Sequence, residues 1–238
     1  MRNRLGLAAV AVAGTLAVVL LAGQAHAAVL VDADASLGGT PGSTFRLGGD
    51  GNCGTGTVSA VTDPQRGRVW RFHKPSSSNR CETHGLAKMT FTNNATYYIG
   101  WWFNLSDTGD NNAVFQWKSY GHHIQNFPVV IRMRGGQLEL MQRQPGGKES
   151  YPWHGRIAAN QWTHLVLGIH TSAETLGGWI EFYVNGAQQS LGGKPRFPCR
   201  TWDGENDPKV GVYGARGRTV TNLIDGPKVG TDYADVTS

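Results

Sequence analysis

Helical periodicity is almost absent from this 238-residue sequence, charge is sparse, and there are only three cysteines. Each scarcity excludes something. Without apolar residues recurring at helical spacing, neither a helix bundle nor an alternating α/β fold is expected. Lys and Arg number 22 against 17 Asp and Glu, a formal charge of +5, and they form no block. That is not the footprint of a nucleic-acid binder, whereas a modest positive field suits a polyanionic substrate. Cys53, Cys81 and Cys199 form no Cys-x-x-Cys, and no His-x-x-His cluster accompanies them, so zinc is not expected. Cys53 and Cys81 are the preferred disulfide pair because both lie in the same N-terminal region, with Cys199 left free or paired differently.

Long hydrophobic runs are lacking too, apart from one. Arg2 and Arg4 precede an uncharged apolar stretch from Leu5 to Ala22, and Ala25-His26-Ala27 follows. This is the layout of a signal peptide over residues 1–27, cleaved before Ala28. The expected product is a secreted, extracellular domain over residues 28–238, monomeric and without a membrane partner. No cysteine stands at the cleavage point, so nothing suggests a lipoprotein.

What the chain does have is short alternating apolar runs between Gly-rich turns. They predict strands at Arg68–His73, Leu86–Phe91, Tyr97–Asn104, Ala113–Tyr120, Val129–Arg134, Gln137–Gln142, Thr163–His170, Gly178–Val184, Lys209–Ala215 and Thr219–Asp225. Arg134-Gly135-Gly136-Gln137 and Asn185-Gly186 read as hairpin turns. Long excursions are expected at Phe103–Asn112 and Gly186–Asn206. Ten strands without intervening helices argue for an all-β sandwich or jelly roll of two antiparallel sheets, one of them offering a concave groove.

Side-chain alternation sorts residues between the faces. Phe115 and Trp117 point one way, Gln116, Lys118 and Tyr120 the other. Val129, Ile131 and Met133 put Arg132 and Arg134 opposite. Val210 and Val212 put Lys209 and Tyr213 outward, and Arg80, Glu82 and His84 share a face. Four segments thus present a polar, mostly cationic surface, with His122 just past the end of one strand as a further groove candidate. His164 and His170 read as structural, and Trp101, Trp102, Trp162 and Trp179 as core.

Arg and Lys recognise carboxylates, and such a face could also cleave an acidic polysaccharide by β-elimination. The C5 proton of a uronate leaves only if its carboxylate is neutralised, so donors aimed at the developing enolate matter most. Gln116 with an Arg or His could supply them, and a Tyr or His could move the proton. No metal or organic cofactor is required for these transfers.

Arg80-Cys81-Glu82-Thr83-His84-Gly85, Gln116-Trp117-Lys118 and Pro208-Lys209-Val210-Gly211-Val212-Tyr213 follow in that order. They resemble the secreted β-jelly-roll polysaccharide lyases, most of all the glucuronan lyases of polysaccharide lyase family 20. The heparin lyase I-like and alginate lyase groups share the layout. The closing stretch from Asp225 to Val236 is similar to the last strand of such domains, so the resemblance spans Val29 to the end. It implies that Gln116 neutralises the uronate carboxylate, that Tyr213 is catalytic acid and base, and that His84 assists. It also implies that Arg80, Lys118, Arg132 and Lys209 line the groove, and that a structural calcium ion is present, with ligands that the sequence does not place. The sequence departs from the alginate-lyase pattern where Lys118 replaces a strand histidine and His84 an arginine, which favours glucuronan over alginate.

Two other classes compete. A non-catalytic carbohydrate-binding module or lectin could use the same sandwich. A glycoside hydrolase needs two carboxylates across the scissile bond, but the Glu-x-Asp-x-x-Glu pattern is absent and Glu82, Glu139 and Glu181 stand alone on their segments.

Overall fold

The computed structural model describes residues 28–48 and 52–237; the signal-peptide reading falls on residues outside them. In chain order the first strands are β1 (Val29–Asp32), β2 (Phe45–Arg46), β3 (Thr57–Asp63), β4 (Gly67–Lys74), β5 (Arg80–Glu82), β6 (Gly85–Leu86), β7 (Thr96–Leu105) and β8 (Asn111–Ser119). Next come β9 (Val129–Arg134), β10 (Gln137–Arg143), β11 (Glu149–Gly155), β12 (Trp162–His170) and β13 (Gly178–Val184). The last are β14 (Ala187–Gln188), β15 (Phe197–Cys199), β16 (Asn206–Tyr213) and β17 (Val220–Gly230).

Two antiparallel sheets carry nearly all of these strands. One has nine strands, along the path β14-β13-β12-β7-β17-β4-β3, with β1 beside β17 and β15 beside β13. The other has six, ordered β11-β10-β9-β8-β16-β5. The two pack face to face as an all-β jelly-roll sandwich. Period-2 alternation sends Trp101 of β7 and Phe115 of β8 into the shared core, where their rings stack 4.8 Å apart. Trp117 lies against Phe91 at 4.9 Å, and its indole N–H donates to the Thr201 carbonyl at 2.7 Å, so burying this polar tip leaves no unpaired donor.

Several expectations need correction. The strand expected at Leu86–Phe91 is only the two-residue β6; Phe91 is buried from an irregular segment. Residues 106–110 form a short link rather than a long excursion, and the later excursion contains β14 and β15. β11 went unread because Pro152 sits inside it, and proline is confined to edge strands, which this one is. Trp102, Trp162 and Trp179 are half-buried rather than core. Trp102 follows inward-facing Trp101, so it points to the opposite face of its sheet, between the Arg66 guanidinium at 4.0 Å and the His164 ring at 4.7 Å.

One covalent bond fixes the edge of the six-stranded sheet. β5 has three residues and a single neighbour in its sheet, β16. Its middle residue, Cys81, is fully buried and disulfide-bonded to Cys53, while Cys199 is buried and free. Closing a loop across a sequence separation of 28 stabilises the fold by about 3–4 kcal/mol in the chain-entropy account. Replacing Cys53 and Cys81 together by serine should lower the unfolding free energy by about 3 kcal/mol, measured as a fall in the urea midpoint. An unchanged midpoint would show that β5 holds without the crosslink.

Candidate active site on the open face of the six-stranded sheet

β5, β16 and β8 lie side by side with Tyr213 opposite Arg80, Gly211 opposite Glu82, and Lys209 opposite Gln116. Because Cys81, Val210, Val212, Phe115 and Trp117 fill the core, their neighbours in sequence meet on the other face. Gly211 makes that meeting tight. It holds a positive φ of 137°, and a Cβ there would come 2.3 Å from the Cys81 carbonyl oxygen and 2.6 Å from the Glu82 Cα.

Glu82 is the centre of the resulting cluster, 3 % exposed. Its Oε2 accepts from Gln116 Nε2 at 2.8 Å and its Oε1 from Lys209 Nζ at 2.8 Å. Arg80 Nη1 lies 3.6 Å from the same Oε1. A carboxylate only accepts, so the Gln116 amide must turn its nitrogen toward Glu82. One N–H and the carbonyl oxygen of that amide are left for other partners.

Two different environments flank this cluster. At one end the Arg80 guanidinium lies 4.4 Å over the Tyr213 ring. There Tyr213 and Gln116 line a depression of ≈ 240 Å³ with Arg132 and Glu149, floored in part by Val130 and Met141. At the other end the His84 ring stacks on Tyr120 at 4.5 Å. Its backbone N–H donates to the Arg46 carbonyl at 2.5 Å, and the Arg46 side chain pairs with buried Asp207. Burial pulls the His84 imidazole below its ordinary value, and the cations Lys209, Arg46, Lys118 and Arg80 add to the effect. Burial, then Glu82, pushes the Tyr120 phenol up, which keeps it protonated. Lys118 donates to the Ser119 carbonyl at 2.9 Å and to Asn126, and burial lowers its ammonium, with Lys209 next.

The register separates Tyr213 from His84. Glu82 stands opposite Gly211, so His84, two residues on, falls beside Lys209, whereas Tyr213 is four residues further along β16. At about 3.3 Å per residue that is roughly 13 Å of backbone. The two side chains are therefore opposite ends of one row, not a bonded pair.

Arg132 donates to Glu139 at 2.8 Å, and Arg134 is exposed. His122 is exposed on the loop after β8 and packs over Gly204. Sequence reasoning put Glu82 on this face without a role, and passed over Arg46, Asp207 and Tyr151. Asp207 was visible by the same alternation, two before Lys209. Arg46 arrives through the β2–β6 pairing, which no local pattern announces. Among the described residues no group of three or more His, Cys, Asp and Glu is placed to hold a metal.

Comparisons with known proteins bear on the family and the fold. The family model described as "Polysaccharide lyase" matches residues 22–226. Among solved structures, the cellulose-induced protein Cip1 superposes with a TM-score of 0.61 at 12% identity, covering 82% of this chain and 94% of that one. A family 7 alginate lyase, A1-II′, solved with product, gives a TM-score of 0.51 at 14% identity, with coverages of 71% and 82%. A 1.0 Å structure of the same lyase gives 0.50 at 14%, with coverages of 73% and 83%. No curated protein sequence matches.

Two outcomes follow from the cluster. Glu82→Ala leaves the Lys209 ammonium buried without its carboxylate, which should cost about 3–5 kcal/mol; the denaturant midpoint reads this, and a loss under 1 kcal/mol contradicts it. If neutral His84 is needed for turnover, the acid limb of the kcat/KM profile should fall below pH 6.5, since the shift is downward from that value. Lys118→Met should move the limb upward. A wild-type limb at or above 6.5 removes His84 from that role.

Proposed function

The chain belongs to the polysaccharide lyase family, and from that footing we propose that it is an endo-acting lyase on a β-1,4-linked polyuronide, glucuronan being favoured. The observation that carries the proposal is the shared depression: Gln116, Tyr213 and Arg132 open onto one space on an exposed sheet face. A hydrogen-bond donor to the carboxylate, a proton-transfer group and a cation are the three parts that uronate elimination requires.

In this reading the uronate carboxylate receives the remaining N–H of Gln116 and the positive field of Arg132. That stabilises the enolate that forms as C5 loses its proton. Tyr213, entering the step as the phenolate, takes the C5 proton, the C4–C5 double bond forms as the C4–O4 bond breaks, and the phenol gives that proton to O4, which restores the phenolate. The Arg80 guanidinium beside the Tyr213 ring offsets negative charge while the phenol oxygen lacks its proton. No water is consumed, and the products are an unsaturated uronate end and a new reducing end. On β-linked glucuronate the proton and the leaving oxygen share one side, so a single tyrosine serves both steps.

A separation of roughly 13 Å of backbone along β16 favours Tyr213 acting alone in proton transfer, with His84, Tyr120 and Lys118 binding a neighbouring sugar. We further place the enzyme outside the cell, as a monomer, on the signal-peptide reading of residues 1–27.

Turnover is read as the ultraviolet absorbance of the unsaturated uronate, with glucuronan, alginate and heparin-type polymers supplied in turn. Glucuronan should give the fastest rise; no rise with any polyuronide sinks the proposal. Tyr213→Phe should lower kcat by about 10²-fold or more while polymer binding is retained. Unchanged kcat removes Tyr213 from the mechanism.

A further inference from the structure

We propose that Tyr151, with Arg134 beside it, forms a separate sugar-binding subsite at the β11 edge of the groove. It would take the uronate unit next to the one that loses its proton, on the side away from the bond that is cleaved. The inference rests on the polyuronide reading and extends it to the length of chain the enzyme grips.

Tyr151 is 43 % exposed, and among the described residues it is the only Phe, Tyr or Trp that is exposed. It is held in place nonetheless. Its hydroxyl donates to Glu149 Oε2 at 2.5 Å, and Glu149 Oε1 accepts from Arg143 at 3.0 Å across the β10–β11 pair. The guanidinium carbons of Arg132 and Arg134 stand 5.4 and 5.8 Å from the ring centre. Arg132 is committed to Glu139. Arg134 is exposed and forms no ion pair among the described residues, so its charge is available to a ligand. An accessible aromatic ring beside an uncommitted guanidinium matches one uronate unit: the ring covers an apolar sugar face and the guanidinium takes the carboxylate.

Continuity with the reaction site gives this pair its occupant. The depression walled by Tyr213 at one end reaches Glu149, the hydrogen-bond partner of Tyr151, at the other. Arg132 of β9 stands between the two tyrosines, lining that depression and lying 5.4 Å from the Tyr151 ring, so the subsite takes the neighbouring sugar of the same chain. The half-buried tryptophans of the nine-stranded sheet offer no such platform. Trp102 is occupied by Arg66 and His164, and Trp179 by Arg196 and His170.

A chain-length comparison tests the subsite. With polymeric glucuronan, Tyr151→Ala should raise KM about fivefold with kcat unchanged. With a glucuronate disaccharide, which ends at the two sugars flanking the cleaved bond, kcat/KM should stay at the wild-type value. Tyr151→Phe keeps the ring and should keep the polymer KM. An unchanged polymer KM in Tyr151→Ala, or an equal loss on both substrates, overturns the subsite while leaving the lyase reading intact. If the wild type cleaves no polyuronide, the lyase reading fails by itself. Calorimetric titration with glucuronan then decides the subsite, and equal affinity of wild type and Tyr151→Ala overturns it.

Discussion

A single buried carboxylate sets the geometry of the open sheet face. Glu82 has its two oxygens engaged by different strands, Gln116 of β8 on one and Lys209 of β16 on the other. Such a group is costly to bury unless it is paired and hydrogen-bonded, and here it is both. The same bonds that satisfy it dictate which way the Gln116 amide turns and where the Lys209 charge sits. Arg80, reaching the carboxylate from its own strand, is thereby brought over Tyr213. The positions of all four side chains depend on where β5 carries Glu82.

That dependence explains why β5, the shortest strand of its sheet, is crosslinked. A three-residue edge strand frays readily when a single ladder holds it. Cys81, between Arg80 and Glu82, ties it to Cys53 and fills the core beneath. Gly211 completes the arrangement from the other side by letting β5 lie against β16 where any side chain would intrude. Stability and site geometry thus use the same residues, alternating along one short strand.

The sheets and the inward–outward sorting were legible in the sequence because both follow from a period of two. Val129, Ile131 and Met133 face the core, and Arg132 and Arg134 the groove, in agreement with alternation alone. Asn185-Gly186 and Gly135-Gly136 turn with positive φ at both central residues, as such hairpins demand. What stayed hidden depends on pairing between distant segments. Glu82 looked isolated because its partners are 34 and 127 residues away. Tyr213 and His84 looked like partners because the order of motifs says nothing of register. β11, and Tyr151 with it, was masked by a proline that only an edge position explains.

The polar side chains on the groove face fall into two classes that differ in how freely they can change over evolutionary time. Lys209, Gln116 and Glu82 are mutually locked, so a substitution at one strands the others, and the chemistry they frame is conservative by construction. Arg134 and Tyr151 stand at the rim with few obligations to the fold. A lineage carrying this scaffold can therefore drift in which polymer it grips, by exchanging rim residues, without reopening the question of how the bond is broken. New substrate preferences would arise first at the β11 edge.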